Sequence, residues 1–184
     1  NSESIGTSMF HCDFQIVDPE AREEVKRGEI GVLCLRSPHT FGGYLHDPTR
    51  TNKLIDDQGW VFTGDLAKQN EEGLVFIQGR ADNMFISGGE NVSPEEIEQT
   101  VMKHEAVAGV VCAGVPDKRW GQVPAVLVVF HAGKSATANE LKAFCKERLA
   151  GFKVPKHFKH VEALPLTGAG KLNRNAVPEI MRNA

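Results

Sequence analysis

The pattern of hydrophobic and polar residues divides the chain into two parts. Before residue 79, short runs of alternating apolar and polar residues are separated by Gly, Pro and Asp, as in β-strands joined by turns. Strands are predicted at residues 14–17, 30–36 and 74–78, with a hairpin turn at 71–73. The pattern therefore predicts a first part that is rich in β-structure.

The second part mixes strands with helices. Residues 107–115 and 123–130 are nearly continuous apolar runs, which predict two strands, and residues 157–161 predict a third, shorter one. Residues 173–181 predict a last helix. Such a mixture within one small region is typical of an α+β domain.

Two capping boxes predict where helices begin. Ser93 has the features of an N-cap, Pro94 those of a first helical residue, and Glu96 completes a Ser-x-x-Glu box. Thr137 and Glu140 form a second box, which opens a helix that is expected to end at Gly151. The apolar stripe of this second helix consists of Leu141, Phe144, Cys145 and Leu149.

A charged corner and a glycine pair lie between the two parts. Residues 80–83 form the corner, and Gly88-Gly89 follows shortly before the predicted helix. One interpretation is a tight turn and a short β-hairpin ahead of a helix. The other is a corner between two modules, followed by backbone that a ligand can approach closely.

Composition limits the function classes. The chain has 184 residues, of which 41% are hydrophobic and 24% charged, with a net charge of −3. This balance is that of a globular protein and argues against a nucleic-acid footprint, which needs a concentrated basic face. No apolar run approaches the ~20 residues of a membrane span, and no signal peptide is recognisable.

Cysteine and histidine show no metal-ligand spacing. His157 and His160 are the closest histidine pair, but the intervening Phe and Lys are typical of an exposed strand, so no metal site is predicted. The absence of a Cys-x-x-Cys pair favours free thiols in a reducing, cytoplasmic compartment. The four cysteines are Cys12, Cys34, Cys112 and Cys145.

Three motifs occur along the chain in a fixed order. They are Thr63-Gly64-Asp65, the stretch at residues 79–98, and the loop at residues 165–174 with Gly170-Lys171 at its centre. The set resembles the adenylate-forming enzymes: the acyl-CoA synthetases, the luciferases and the adenylation domains of peptide synthetases. The resemblance covers essentially the whole chain.

The resemblance implies an α+β architecture in two domains. Residues 1–78 would be the C-terminal β-barrel part of the large AMP-binding domain, in the form of a distorted barrel. Residues 79–83 would be a hinge, and residues 84–184 a small, mobile α+β C-terminal lid domain.

The resemblance also implies a nucleotide site. In the family, the aspartate that matches Asp65 accepts hydrogen bonds from both ribose hydroxyls, a role that suits a carboxylate because it only accepts. Thr63 and Arg80 are the other candidate nucleotide-binding residues. From the residues alone, Asp65 could equally be a turn residue that satisfies its own backbone, and Arg80 and Asp82 a surface ion pair.

Lys171 is the candidate catalytic residue. Adenylation brings a substrate carboxylate to the α-phosphate of ATP, and an ammonium between these two anions offsets their repulsion. At ~4 Å and an effective dielectric of ~20, one such pair is worth on the order of 4 kcal/mol. In the family, the lid turns about the residue that matches Asp82 and presents the lysine for adenylation. A solvated loop lysine is the alternative.

A coenzyme A site is implied on the lid. Gly88 and Gly89 would line a tunnel for the pantetheine arm, where side chains would obstruct a narrow thiol. Trp120, Phe152 and Lys153 match positions that contact coenzyme A in some family members. Ordinary packing with an extended lysine explains those three residues as well.

Two other nucleotide-binding motifs are excluded. A P-loop requires glycine five residues before Gly170 and Ser or Thr after the lysine, but the chain has Pro165 and Leu172 there. A dinucleotide fingerprint requires glycine at Asn173.

The motifs identify the branch of the family less specifically than they identify the family itself. Residues 86–91 resemble acyl-CoA synthetases rather than peptide-synthetase domains. Residues 120–124, 153–158 and 170–175 resemble o-succinylbenzoate–CoA ligases of menaquinone synthesis, although fatty-acyl- and aryl-CoA ligases share much of this sequence. A non-catalytic binding module that kept the lid fold is the alternative from a different class.

The family's Ser/Thr/Gly-rich phosphate loop and acyl pocket would lie upstream of Asn1. We therefore expect an AMP-forming acid–thiol ligase fragment that is inactive alone. The expected ligands are a small carboxylic acid, ATP, coenzyme A, and Mg²⁺ held mainly by the N-terminal domain. No nucleic-acid partner or membrane span is expected, and a homodimer is left open.

Overall fold

A computed structural model describes residues 4–183, which divide into two units between Asp82 and Asn83. The first unit contains a four-stranded antiparallel sheet in the order β1-β2-β3-β4. The strands are β1 (Asp13–Val17), β2 (Gly31–Arg36), β3 (Val61–Gln69) and β4 (Val75–Arg80). This sheet is an open meander, in which the described residues close no barrel.

Alternation along the strands of the first unit explains its core. Ile16, Leu33, Ala67 and Val75 are buried together on the sheet. The short helix α1 (Pro48–Leu54) joins β2 to β3 and has no buried residue, and the sequence pattern did not predict it. The carboxylate of Asp47 caps this helix by accepting from the Arg50 backbone N–H at 2.9 Å.

The second unit combines a five-stranded sheet with three helices. Its sheet has the order β6-β5-β8-β7, and β9 pairs parallel to β8 on the edge away from β7. The strands are β5 (Phe85–Ser87), β6 (Glu90–Val92), β7 (Val107–Asp117), β8 (Gly121–Phe130) and β9 (His157–His160); the helices are α2 (Pro94–Val101), α3 (Ala138–Lys146) and α4 (Val177–Arg182).

Helices cover both faces of the second sheet. On one face, Ile97 of α2 and Leu141 of α3 pack with Val126 and Val128 of β8. On the other face, Val177 of α4 packs against alternate residues of β7 and β8. A strand buried on both faces has no polar side to present, which explains the continuous apolar runs in the sequence.

The two predicted helix starts differ in their capping. The Thr137–Glu140 box forms as predicted. The Ser93–Glu96 box was wrong: α2 begins at Pro94, but the Ser93 hydroxyl donates to Glu95 at 2.9 Å and Glu96 binds a lysine instead. The partner of Glu96 is Lys153, which is distant in sequence.

The end of α3 was also placed wrongly. The helix stops at Lys146, and Gly151 begins a separate 3₁₀ turn, Gly151–Lys153. The predicted last helix is a 3₁₀ turn, Arg174–Ala176, that leads into α4.

Candidate functional site

Arg80 organises a polar cluster in the first unit. Its Nη1 donates to the Thr63 carbonyl at 2.9 Å and to Asp65 Oδ1 at 3.0 Å, and its Nη2 donates to Asp82 Oδ2 at 3.1 Å. The hydrogen bond to Asp65 is the main cause of the raised pKa of the guanidinium. The carboxylate of Asp65 is therefore oriented by Arg80 rather than by its own turn.

The backbone of β3 brings Arg80 close. Asp65 and Arg80 are directly paired across β3 and β4. Gly64 has φ +75°, a conformation that favours glycine, and a Cβ there would lie 2.9 Å from Arg80 Nη2, so any larger residue would require the tip of the guanidinium to shift. The cluster is solvent-accessible, because the side chains of Arg80 and Asp65 are 44% and 36% exposed. Its ion pairs thus add little stability, and they fix geometry instead.

Asp82 lies in a 3₁₀ turn, Ala81–Asn83, at the division between the two units. Its side chain is 79% exposed and contacts Arg80. A short segment that joins two compact units is where a chain can rotate with little loss of packing.

Lys171 lies on an exposed hairpin in the second unit. Thr167 N–H donates to the Lys171 carbonyl at 2.7 Å, and the Gly170 N–H donates to the Thr167 carbonyl at 2.9 Å, so the turn is closed by its own backbone. Leu172 is half-buried and packs on the core below α4. The lysine side chain is exposed beside this anchor.

A pocket of about 290 Å³ lies elsewhere on the second unit, where the β5–β6 turn meets the β7–β8 turn. Gly88 N–H donates to the Trp120 carbonyl at 3.0 Å, and a Cβ at Gly88 would lie 2.6 Å from the Trp120 ring. Phe152 and Lys156 also line the pocket, and most of its surface is apolar. The pocket thus brings together three of the five residues predicted to bind coenzyme A: Gly88, Trp120 and Phe152.

The other two predicted residues are placed differently. Gly89 does not line this pocket, and a Cβ there would meet open space. Lys153 donates to both carboxylate oxygens of Glu96, at 2.9 and 2.7 Å. Its ammonium is therefore held by an ion pair on α2, and its role toward coenzyme A stays a prediction.

Sequence reasoning missed Lys156. This residue lines both the apolar pocket and an adjoining groove of about 500 Å³, whose other basic residues are His157, Lys159 and Arg182. The spacing Phe152-x-x-x-Lys156 was visible in the sequence, but the exposure that distinguishes Lys156 from Lys153 depends on the distant Glu96.

The described residues contain no group of three or more His, Cys, Asp or Glu that could hold a metal ion. Within the same residues, no helix is long and apolar enough to cross a membrane.

Comparison with known proteins identifies the family. Residues 96–171 match the AMP-binding enzyme C-terminal domain. The 2-succinylbenzoate–CoA ligase of Geobacillus sp. (strain WCH70) is 39% identical over 181 residues, which are 98% of this chain and 36% of that protein. The mitochondrial medium-chain acyl-CoA ligase ACSF2 of Homo sapiens is 37% identical over 98% of this chain and 29% of that protein.

The fold agrees with a solved structure. The o-succinylbenzoate CoA synthetase (MenE) from Bacillus subtilis, in complex with the acyl-adenylate intermediate OSB-AMP, superimposes with a TM-score of 0.88 at 34% identity, over 95% of this chain and 35% of that one. The chain spans about a third of the length of the relatives that it matches. Its sequence and its fold together place it among the adenylate-forming, AMP-binding enzymes, whose C-terminal domain it contains.

Proposed function

We propose that this chain is the C-terminal portion of an ATP-dependent carboxylate–CoA ligase. In the first step, a carboxylate oxygen attacks the α-phosphorus of ATP, giving an acyl-adenylate and pyrophosphate. In the second step, the thiol of coenzyme A attacks the acyl carbon, giving the thioester and AMP. Family membership and the 37–39% identity to two CoA ligases support this proposal.

The observation that carries the proposal is that the second unit holds two chemically different candidate sites. One is an exposed lysine on a closed hairpin, suited to an anionic transition state. The other is a narrow pocket with an apolar lining and glycine at its wall, suited to a thiol arm. A binding module would have no need of both.

In the first unit, Asp65 is proposed to accept from the ribose hydroxyls of the nucleotide. Arg80 donates to the Asp65 carboxylate at 3.0 Å, and the backbone N–H of Asp65 donates to the Thr63 hydroxyl at 3.0 Å. The carboxylate is therefore preorganised before the nucleotide binds. Asp82 is proposed as the pivot about which the second unit turns between the two steps.

Coenzyme A is proposed to place its pantetheine arm in the Gly88–Trp120–Phe152 pocket. The adjoining groove presents Lys156, His157 and Arg182, which suit the phosphate groups of the same molecule. Lys156 lines both spaces and is therefore proposed as the residue that joins the two binding regions.

The proposed substrate is o-succinylbenzoate, supported by the similarity to the Geobacillus ligase and to MenE. A medium-chain fatty acid is the alternative, supported by the similar identity to ACSF2. Thioester formation by the complete ligase from each acid, measured at equal concentrations, distinguishes them. A preference of at least tenfold for o-succinylbenzoate is expected, and the reverse preference would replace it.

The proposed function is tested by Lys171→Ala in the complete ligase that contains this chain. Pyrophosphate release should fall by about 10²-fold or more, the scale for losing one preorganised transition-state contact. Thioester formation from synthetic acyl-adenylate should stay nearly unchanged. Equal losses in the two steps would show that Lys171 acts through folding or general binding.

A further inference from the structure

A half-buried ion-pair cluster lies next to the Lys171 hairpin. Nη2 of Arg174 donates to Glu98 Oε2 at 2.7 Å and lies 3.3 Å from Glu95 Oε1. The side chains of Arg174, Glu95 and Glu98 are only 21%, 17% and 12% exposed. Charges withdrawn from water in this way need precise partners, so the cluster fixes geometry more strictly than a surface pair does.

The cluster joins α2 to three other parts of the second unit. Glu98 Oε1 accepts from the backbone N–H of Cys112 in β7 at 2.8 Å. Glu95 Oε1 accepts from Asn83 Nδ2 at 2.6 Å, and Asn83 is the first residue of the unit. Arg174 adds the C-terminal hairpin to the same two carboxylates. The pKa of Glu98 is raised by burial, with opposing contributions from Cys112 N–H and Arg174.

Arg174 also fixes the base of the hairpin. The backbone N–H of Asn173 donates to the Pro165 carbonyl at 2.8 Å, which closes the hairpin immediately before Arg174. Lys171 is three residues from Arg174, and the intervening Leu172 is half-buried. Arg174 therefore directly follows the hydrogen bond that closes the hairpin carrying Lys171.

We propose that Arg174 is a positioning residue for Lys171, holding the hairpin at residues 165–173 against α2 through Glu95 and Glu98. The second unit then carries the lysine as part of one rigid body from Asn83 onward. This inference rests on the proposed function, because it assigns Arg174 a part in the lysine-dependent step only.

Hydrogen exchange of the 184-residue chain tests the positioning directly. Arg174→Lys keeps the positive charge, but the lysine ammonium lies one bond short of Nη2, the atom that contacts both Glu95 and Glu98. Exchange of the hydrogen-bonded amides of Thr167, Gly170 and Asn173 should rise at least fivefold, while the amides of β7 change by less than about twofold, since local opening differs between segments. Arg148→Lys is the matched control, because Arg148 contacts Phe144 and Glu147, neither of which belongs to the hairpin or to β7, and it should leave both segments unchanged.

Kinetics of the complete ligase test the consequence. Arg174→Lys should lower the adenylation rate by roughly tenfold, as expected for a lysine displaced by a fraction of an ångström. In a Lys171→Ala background, Arg174→Lys should lower the remaining adenylation rate by less than twofold. Transfer to coenzyme A from synthetic acyl-adenylate should be unaffected.

The outcomes separate the inference from the proposed function. Unchanged exchange of the hairpin, or an equal loss with and without Lys171, would overturn the positioning role and leave Arg174 as a general stabilising residue. Raised exchange together with an unchanged adenylation rate in the Lys171→Ala variant would instead overturn the catalytic assignment of Lys171, and with it any catalytic benefit of the positioning.

Discussion

Gly88→Ala should impair the use of coenzyme A without impairing adenylation. Gly88 has φ +62°, a conformation that costs an L-residue roughly 1–2 kcal/mol. Its new Cβ would lie 2.6 Å from Trp120 Cε3 and 3.1 Å from Cζ3, whereas ordinary contacts begin at 3.4 Å. The ring must therefore move by about 0.8 Å, which changes one wall of the pocket.

The ring has room to move, because Trp120 is 41% exposed. The Gly88→Ala variant should therefore fold, and the strain of its positive φ should lower the free energy of unfolding by about 1–2 kcal/mol. The displaced ring should raise the KM for coenzyme A by on the order of tenfold, which corresponds to ~1.4 kcal/mol of binding. The assay is thioester formation from synthetic acyl-adenylate, measured beside pyrophosphate release.

Gly133→Ala supplies the matched control. Gly133 has φ +75° and nothing within 4 Å of the position of its Cβ, so the variant carries a similar backbone strain without the ring contact. An unchanged KM for coenzyme A in Gly88→Ala, at a stability loss equal to that of the control, would refute the placement of the thiol arm beside Trp120.

Three further outcomes are expected. Ile97→Ala, which removes a fully buried side chain from the core of the second unit, should lower the free energy of unfolding by about 2–5 kcal/mol in denaturant titrations, and a loss below ~1 kcal/mol would contradict the packing. At pH 8, iodoacetamide should modify Cys12 alone in the native chain and all four thiols after denaturation, as measured by mass spectrometry. The reason is that Cys34, Cys112 and Cys145 are buried, and burial raises the pKa of Cys34 and Cys145 to about 11. Labelling of more than one thiol in the native chain would contradict this expectation. The 184-residue chain alone should release no pyrophosphate from ATP with any carboxylate, and robust acyl-AMP formation would overturn the proposal that the phosphate loop lies elsewhere.

Local pattern predicted most of the elements. The two predicted apolar strands correspond to β7 and β8, and the predicted capping box at Thr137 starts α3. Both features depend on residues that are close in sequence. The helix α1 was missed although Asp47-Pro48 is a helix-start signature, since the helix buries no apolar face that periodicity could reveal.

The contacts of the site were less accessible from sequence. The resemblance named Lys153, but its partner Glu96 is 57 residues away. Arg174 binds Glu98 across 76 residues, so nothing local marked it as more than part of a motif. Contacts of this kind arise from tertiary packing, which a one-dimensional pattern does not contain.

Asp82→Pro, followed through the two half-reactions of the complete ligase, tests the central claim of rotation between steps most directly. Proline fixes φ near −65°, a value within the 3₁₀ range of the turn in which Asp82 lies, and so restricts rotation of the backbone at this position. Asp82→Ala, which removes the contact with Arg80 at 3.1 Å without locking the backbone, is the control. The account predicts near-normal pyrophosphate release by the proline variant, with transfer to coenzyme A reduced by at least ~10²-fold. Similar, modest losses in both steps, matching those of the alanine variant, would contradict it.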